Sequence, residues 1–101
     1  MTLRFTWDPA KAESNLRKHR VNFETAARVF ADPFALSEQD RIEGGEFRWR
    51  TIGLVGGVLV LLVAHAVHDA EDGSETIRII SARRATTQER RGYEQERSRH
   101  P

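Results

Sequence analysis

FRWRTIGLVGGVLVLLVAHAVHDAEDGSETIRIISARR, residues 47–84, is the stretch whose reading decides the fold. Two runs rich in Val, Ile, Leu and Trp, Phe47–Val55 and Val58–Val67, flank Gly56-Gly57. Such a pair supplies the positive φ angles that a two-residue hairpin turn requires. A third run, Glu75–Ala82, follows an acidic turn. A two-residue turn sets Arg48 opposite His65, Arg50 opposite Val63, Ile52 opposite Leu61 and Leu54 opposite Leu59, and opposed residues point to one face of a sheet. The expectation is therefore that Arg48 and His65 share a basic open end, while helices cover the face of Trp49, Val60 and Leu62. A slip of one residue would exchange one strand's faces.

Outward from this hairpin, Leu3–Trp7 reads as a short first strand. Asp8-Pro9 is an N-cap followed by proline at the first helical position, which opens a helix over 9–19. Ala12, Asn15, Leu16 and His19 form its inward stripe. Asn22 caps a second helix over 23–31, where Phe23, Ala26, Ala27 and Phe30 recur at helical spacing. Asp32-Pro33 ends it. A brief strand is predicted at 34–37 and an acidic loop at 38–46, containing Gly44-Gly45. Thr86 with Glu89 three residues on is a capping box for a polar last helix over 87–97, with Arg90, Tyr93 and Arg97 on one side, and 99–101 is expected to fray. The expectation is one α+β domain over 1–101: a mostly antiparallel sheet, two N-terminal helices on one face and a polar C-terminal helix.

The chain has 101 residues and no cysteine, which excludes disulfides, thiolate zinc sites and cysteine nucleophiles. The apolar run 52–64 contains three glycines and is shorter than the ~18–20 residues of a spanning helix. The N-terminus lacks the apolar core of a signal peptide, so a cytoplasmic protein is expected. Net charge is only +1 but unevenly placed: residues 78–101 hold seven arginines against three glutamates, and residues 32–46 hold five carboxylates against Arg41. Only Lys11 and Lys18 of the sixteen basic residues are lysine. Arginine suits bidentate contacts to phosphate or carboxylate.

Of the four histidines, His65 and His68 are three apart on a strand, which puts them on opposite faces, and no cysteine completes a ligand set. No metal or other cofactor is expected. What remains is a cluster of Arg48, Arg50, His65, Arg78, Arg83 and Tyr93. Such a set suits RNA cleavage without metal, with a base for the 2′-OH, arginines for the phosphate and an acid for the leaving oxygen. Read singly, the same residues are also solvated strand arginines, ion-pair partners of the acidic loops and a packing tyrosine.

The segments WDPAKAESNLRKH (7–19), VNFETA (21–26), VFADP (29–33), EFRWRTIG (46–53) and RIISARRATTQERRGYE (78–94) resemble the BrnT family of toxins from bacterial type II toxin–antitoxin pairs. The resemblance implies a RelE-like fold, ribonuclease activity that blocks translation, and neutralisation by a BrnA antitoxin carrying a ribbon-helix-helix DNA-binding domain. DNA would then be contacted only through the antitoxin, in a hetero-oligomer, and RNA would be the substrate. By position it selects Lys18, His19, Arg48, His65, Arg78, Arg83, Arg90 and Tyr93. Catalysis is expected from His65, Arg48, Arg78, Arg83, His19 and Tyr93, and RNA contacts from Lys18, Arg50, Arg84 and Arg90. His65 is preferred to His19 for proton transfer because the deduced register sets it across from Arg48. Arg20 departs from the family, which has glycine after Lys-His. A silent RNA- or partner-binding module and a co-repressor part of a DNA-binding complex fit the same residues.

Overall fold

The computed structural model describes residues 3–99. In chain order it contains β1 (Leu3–Thr6), α1 (Pro9–His19), α2 (Phe23–Ala27) continuing as a 3-10 turn (Arg28–Ala31), β2 (Leu36–Glu43), β3 (Glu46–Val55), β4 (Leu59–Asp69), β5 (Glu75–Arg84) and α3 (Thr87–Ser98). The five strands form one sheet in the order β1-β5-β4-β3-β2, parallel between β1 and β5 and antiparallel elsewhere. The expectation for the chain end falls partly on His100 and Pro101, outside the described residues.

The helix starts follow local chemistry. Asp8 Oδ1 accepts from Ala10 N at 2.9 Å, Asn22 Oδ1 from Thr25 N at 2.7 Å, and Thr86 with Glu89 closes a capping box. At the end of α1, Arg20 takes the left-handed conformation (φ 61°, ψ 26°), and its N–H reaches Leu16 O. Helix closure thus survives the absence of glycine, at the steric cost of a Cβ in that region. Arg20→Gly is expected to raise stability by about 0.5–1 kcal/mol. A higher urea midpoint at unchanged slope checks it, and a lower midpoint refutes it.

Two turns differ from expectation. The two-residue hairpin lies at Gly44-Gly45, both with positive φ (59° and 77°), where Glu43 pairs with Glu46. It joins β3 to an eight-residue β2 that replaces the expected loop. Every residue of β2 is exposed, so no apolar alternation marks it, and the ladder offered by β3 makes it a strand. In contrast, Val55 pairs with Leu59, so Gly56, Gly57 and Val58 form a three-residue connection. Trp49 therefore faces His65, and Thr51, Ile52 and Leu54 face Val63, Leu62 and Val60.

This one-residue difference corrects the face assignment. The inner face carries Trp49, Thr51, Gly53, Val55, Leu61, Val63 and His65; the outer face carries Arg48, Arg50, Ile52, Leu54, Val60, Leu62 and Ala64. Trp49 stays on the helix side, but Val60 and Leu62 do not. The core lies between the inner face and the N-terminal helices, with Phe23, Ala26 and Val29 packed among Leu61, Val63, Ile77, Ile79 and Ala82. Gly53 permits the closest approach: a Cβ there would lie 2.8 Å from Val29 Cγ1 and 3.1 Å from Val29 O. Asn15 joins α1 to the sheet by bonding both the N–H and the C=O of Ala82, at 3.0 and 2.8 Å.

The last helix lies across part of the outer face, sharing with Arg50, Ile52 and Leu62 a cleft of about 400 Å³ lined also by Gln88 and Gly92. Tyr93 is its buried anchor and donates to Asp32 Oδ2, which also accepts from Leu54 N at 2.8 Å. Arg83 grips the first turn of α3 by a bidentate pair with Glu89, at 2.8 and 3.0 Å.

Candidate functional site

The outer face left open by α3 is charged. Glu46, the first residue of β3, lies at its centre: Oε1 is 2.6 Å from Arg78 and 3.1 Å from Arg48, and Oε2 is 3.0 Å from His68 Nε2. Alternation along β3 puts Glu46, Arg48 and Arg50 on one face. β4 brings His68, and β5 brings Arg78, which pairs with Ala66. A register shift at Ala64/His65 leaves Ile80 without a partner, so that Arg78 and Arg83, five apart, both reach the outer face. Arg48 is 18% exposed, Glu46 24% and His68 51%, a gradient from a shielded arginine to an accessible histidine. The Arg78 hydrogen bond, with the nearby charges of Arg78, Arg48 and His68, holds the Glu46 carboxyl below its ordinary range, so it is ionised at neutral pH.

His65 is elsewhere. It is 3% exposed on the inner face, with Nε2 2.7 Å from Thr51 Oγ1 and its ring edge-to-face with Phe30 at 4.9 Å. Thr51 Oγ1 is in turn 2.7 Å from Ser37 Oγ. The Nδ1 atom has no hydrogen bond of standard geometry, although the Ala66 backbone lies beside it. Burial lowers its pKa to about 4. The pocket expected to unite His65 with Arg48 does not form, because the sheet separates them.

The lowered pKa has a consequence for stability. Unfolding lets His65 take up a proton near its ordinary value of 6.5. Its contribution is full above that pH and is lost as pH falls toward about 4, on the order of 3 kcal/mol. Urea unfolding at pH 7.5 and 4.5 should show this loss in the native chain and a smaller one in His65→Gln. Equal losses in both would refute it.

The other candidates scatter. His19 and Lys18 end α1, whose packing partner is β5. Its Asn15 binds Ala82, a residue of the inner core, so α1 lies across the sheet from Glu46. Arg83 is committed to Glu89, whose carboxyl that contact brings down to about 2. Tyr93 is buried against Asp32, and burial followed by that contact pushes its hydroxyl up to about 12. Arg50 pairs with Glu38, Arg90 lies 3.5 Å from Glu94, and Arg84 is exposed at the end of β5. Sequence reasoning missed Glu46 and His68, assigning one to a loop and the other to a turn. The signal that would have found Glu46 is the alternation Glu46, Arg48, Arg50 leading into a strand.

Residues 7–89 match the family described as "Ribonuclease toxin, BrnT, of type II toxin-antitoxin system". The chain belongs to the BrnT family. It is thus a ribonuclease toxin of the type II toxin–antitoxin class, which implies an antitoxin partner. The crystal structure of the Brucella abortus ribonuclease toxin BrnT is similar in fold, with a TM-score of 0.61 at 24% identity over 85% of this chain and 100% of that one. No curated relative matches. Among the described residues of this BrnT chain, no helix is long and apolar enough to cross a membrane, and no three His, Asp or Glu residues are grouped to hold a metal ion.

Proposed function

We propose that this BrnT chain is an endoribonuclease that cleaves without metal at Glu46, Arg48, His68 and Arg78. The observation that carries this reading is Glu46 held within 3.1 Å of two arginines and a histidine on an open sheet face. Glu46 takes the proton of a 2′-OH, and the freed 2′-oxygen attacks the adjacent phosphorus. Arg48 and Arg78, released from Glu46 by the incoming phosphate, neutralise the charge that grows on its non-bridging oxygens. His68 gives its proton to the departing 5′-oxygen. The products are a 2′,3′-cyclic phosphate and a 5′-hydroxyl.

The test is cleavage of an end-labelled RNA in EDTA, with mapping of the ends. Arg48→Ala and Arg78→Ala should each lower the rate by on the order of 10²–10³, the scale of losing one donor to a developing oxyanion. Ends bearing 5′-phosphate, or native rates in both variants, would sink the mechanism.

In the cell, such cleavage would act in the cytoplasm and block translation. A BrnA-like antitoxin with a ribbon-helix-helix domain would neutralise it and supply any contact with DNA. Its toxin-binding segment would be acidic or amphipathic, to match the arginine-bearing sheet end and last helix. The complex should therefore weaken as ionic strength rises.

A further inference from the structure

The end of the inner face beyond the N-terminal helices holds a groove of about 850 Å³ on the reverse side of the sheet from Arg48 and Arg78, with Glu46 and His68 at the strand ends it shares. Its lining includes Phe30, Phe47, Trp49, His65, Val67 and Ile77. Phe47 is 52% exposed and Leu3, which also lines the groove, 40%. No lysine or arginine lines the groove, so it is built for an uncharged aromatic group rather than a phosphate.

Two polar features line the groove. Asp69 and Glu75 line the groove and lie directly opposite each other across β4 and β5, an unfavourable like-charge pair, and neither has an ion-pair partner among the described residues. His65, 3% exposed in the lining, has its Nε2 engaged by Thr51, while its Nδ1 makes no hydrogen bond of standard geometry.

We infer that this groove is a nucleobase subsite selective for guanine, seating the base of a nucleotide next to the cleaved bond. The base stacks against Phe47 and Trp49, as single-stranded RNA commonly stacks on aromatic side chains. Guanine alone presents two adjacent donors, N1–H and N2–H₂, to a carboxylate pair; uracil presents one N–H flanked by carbonyls that the carboxylates repel. The strand would turn over the end of the sheet, phosphate at Arg48 and Arg78 and base on the inner face. The inference thus deepens the proposed cleavage reading.

Binding can be read apart from cleavage. Trp7→Phe leaves Trp49 as the single tryptophan. In that background, 2′-deoxy dinucleotides, which cannot undergo 2′-attack, are titrated against Trp49 fluorescence. The guanine dinucleotide should bind roughly 10- to 100-fold more tightly than the uracil one, the scale of one bidentate base contact. Asp69→Asn with Glu75→Gln should erase that preference while keeping or raising thermal stability, since it removes the like-charge pair. Phe47→Ala should weaken every base by roughly tenfold or more. In end mapping, cuts beside guanine should spread over all four bases in the double carboxylate variant.

Equal responses to guanine and uracil, or a preference indifferent to the carboxylate variant, overturn the inference. So does a silent Trp49 in a groove that the antitoxin shields in the complex. The subsite and the catalytic reading fail separately. Guanine binding that persists in Glu46→Gln supports the subsite whether or not cleavage is lost. Cleavage lost in Glu46→Gln with no guanine preference leaves the catalytic reading standing and removes the subsite.

Discussion

Glu46→Gln is expected to lower RNA cleavage by on the order of 10²–10⁴ in rate while the protein remains folded, the range for losing a general base. Glutamine keeps the size and the acceptor oxygen, so a neighbouring arginine still has a partner, but it cannot take a proton from a 2′-OH. The pH profile adds a second readout. Arg78, first by hydrogen bond and then by charge, lowers the Glu46 pKa in the free protein, so the acid limb of kcat/KM, which reports the free protein, should lie below the ordinary carboxylate range. The rate falls as pH drops through that limb because the base is then protonated. His68→Ala should also lower the rate by on the order of 10²–10⁴, through loss of the acid that protonates the departing 5′-oxygen. The competing explanation is that Glu46 is only the hub of an ion-pair network. On that view Glu46→Gln would lower stability and leave the rate of the remaining folded protein intact, an outcome that would end the catalytic assignment.

The second large effect is on folding. Asn15→Ala is expected to destabilise the chain by about 3–5 kcal/mol, among the largest losses single substitutions produce. Asn15 is 6% exposed, and its amide meets three backbone groups: Ala82 N–H at 3.0 Å, Ala82 C=O at 2.8 Å and Val21 C=O at 2.9 Å. β1 pairs with β5 only from Glu75 to Arg78, so farther along β5 the amide of α1 binds edge groups that a neighbouring strand would otherwise satisfy. Alanine would leave all three groups buried and unpaired. Aspartate, of the same shape, would be no better, because it presents oxygens to two carbonyls. Equilibrium urea unfolding measures the loss, and a loss under about 1 kcal/mol would show that water replaces the amide.

The architecture was legible wherever local chemistry and apolar pattern agree. Asp8-Pro9, Asn22 and the Thr86–Glu89 box place three helix starts correctly because a cap is a contact between residues two or three apart. The buried strands of the hairpin are equally plain. The family is written in continuous segments, which explains why the resemblance agrees with the match over residues 7–89. β2 was not legible, since an exposed edge strand has no apolar face to mark it.

The candidate site was legible only in part. Arg48 and Arg78 were selected from sequence and do meet, but through Glu46 and His68 rather than His65. The sequence by itself determined the helix caps, the presence of three central strands and the family, because each depends on neighbouring residues or on a linear motif. Tertiary structure alone decided which side of the sheet each functional group occupies. That choice depended on a three-residue connection at Gly56–Val58 and on one unpaired residue in β5. A strand's side chains alternate with period two, so a single residue added to a turn or a ladder moves a whole set across the sheet. It carried His65 into the inner face and left Glu46, Arg48, His68 and Arg78 together on the outer one.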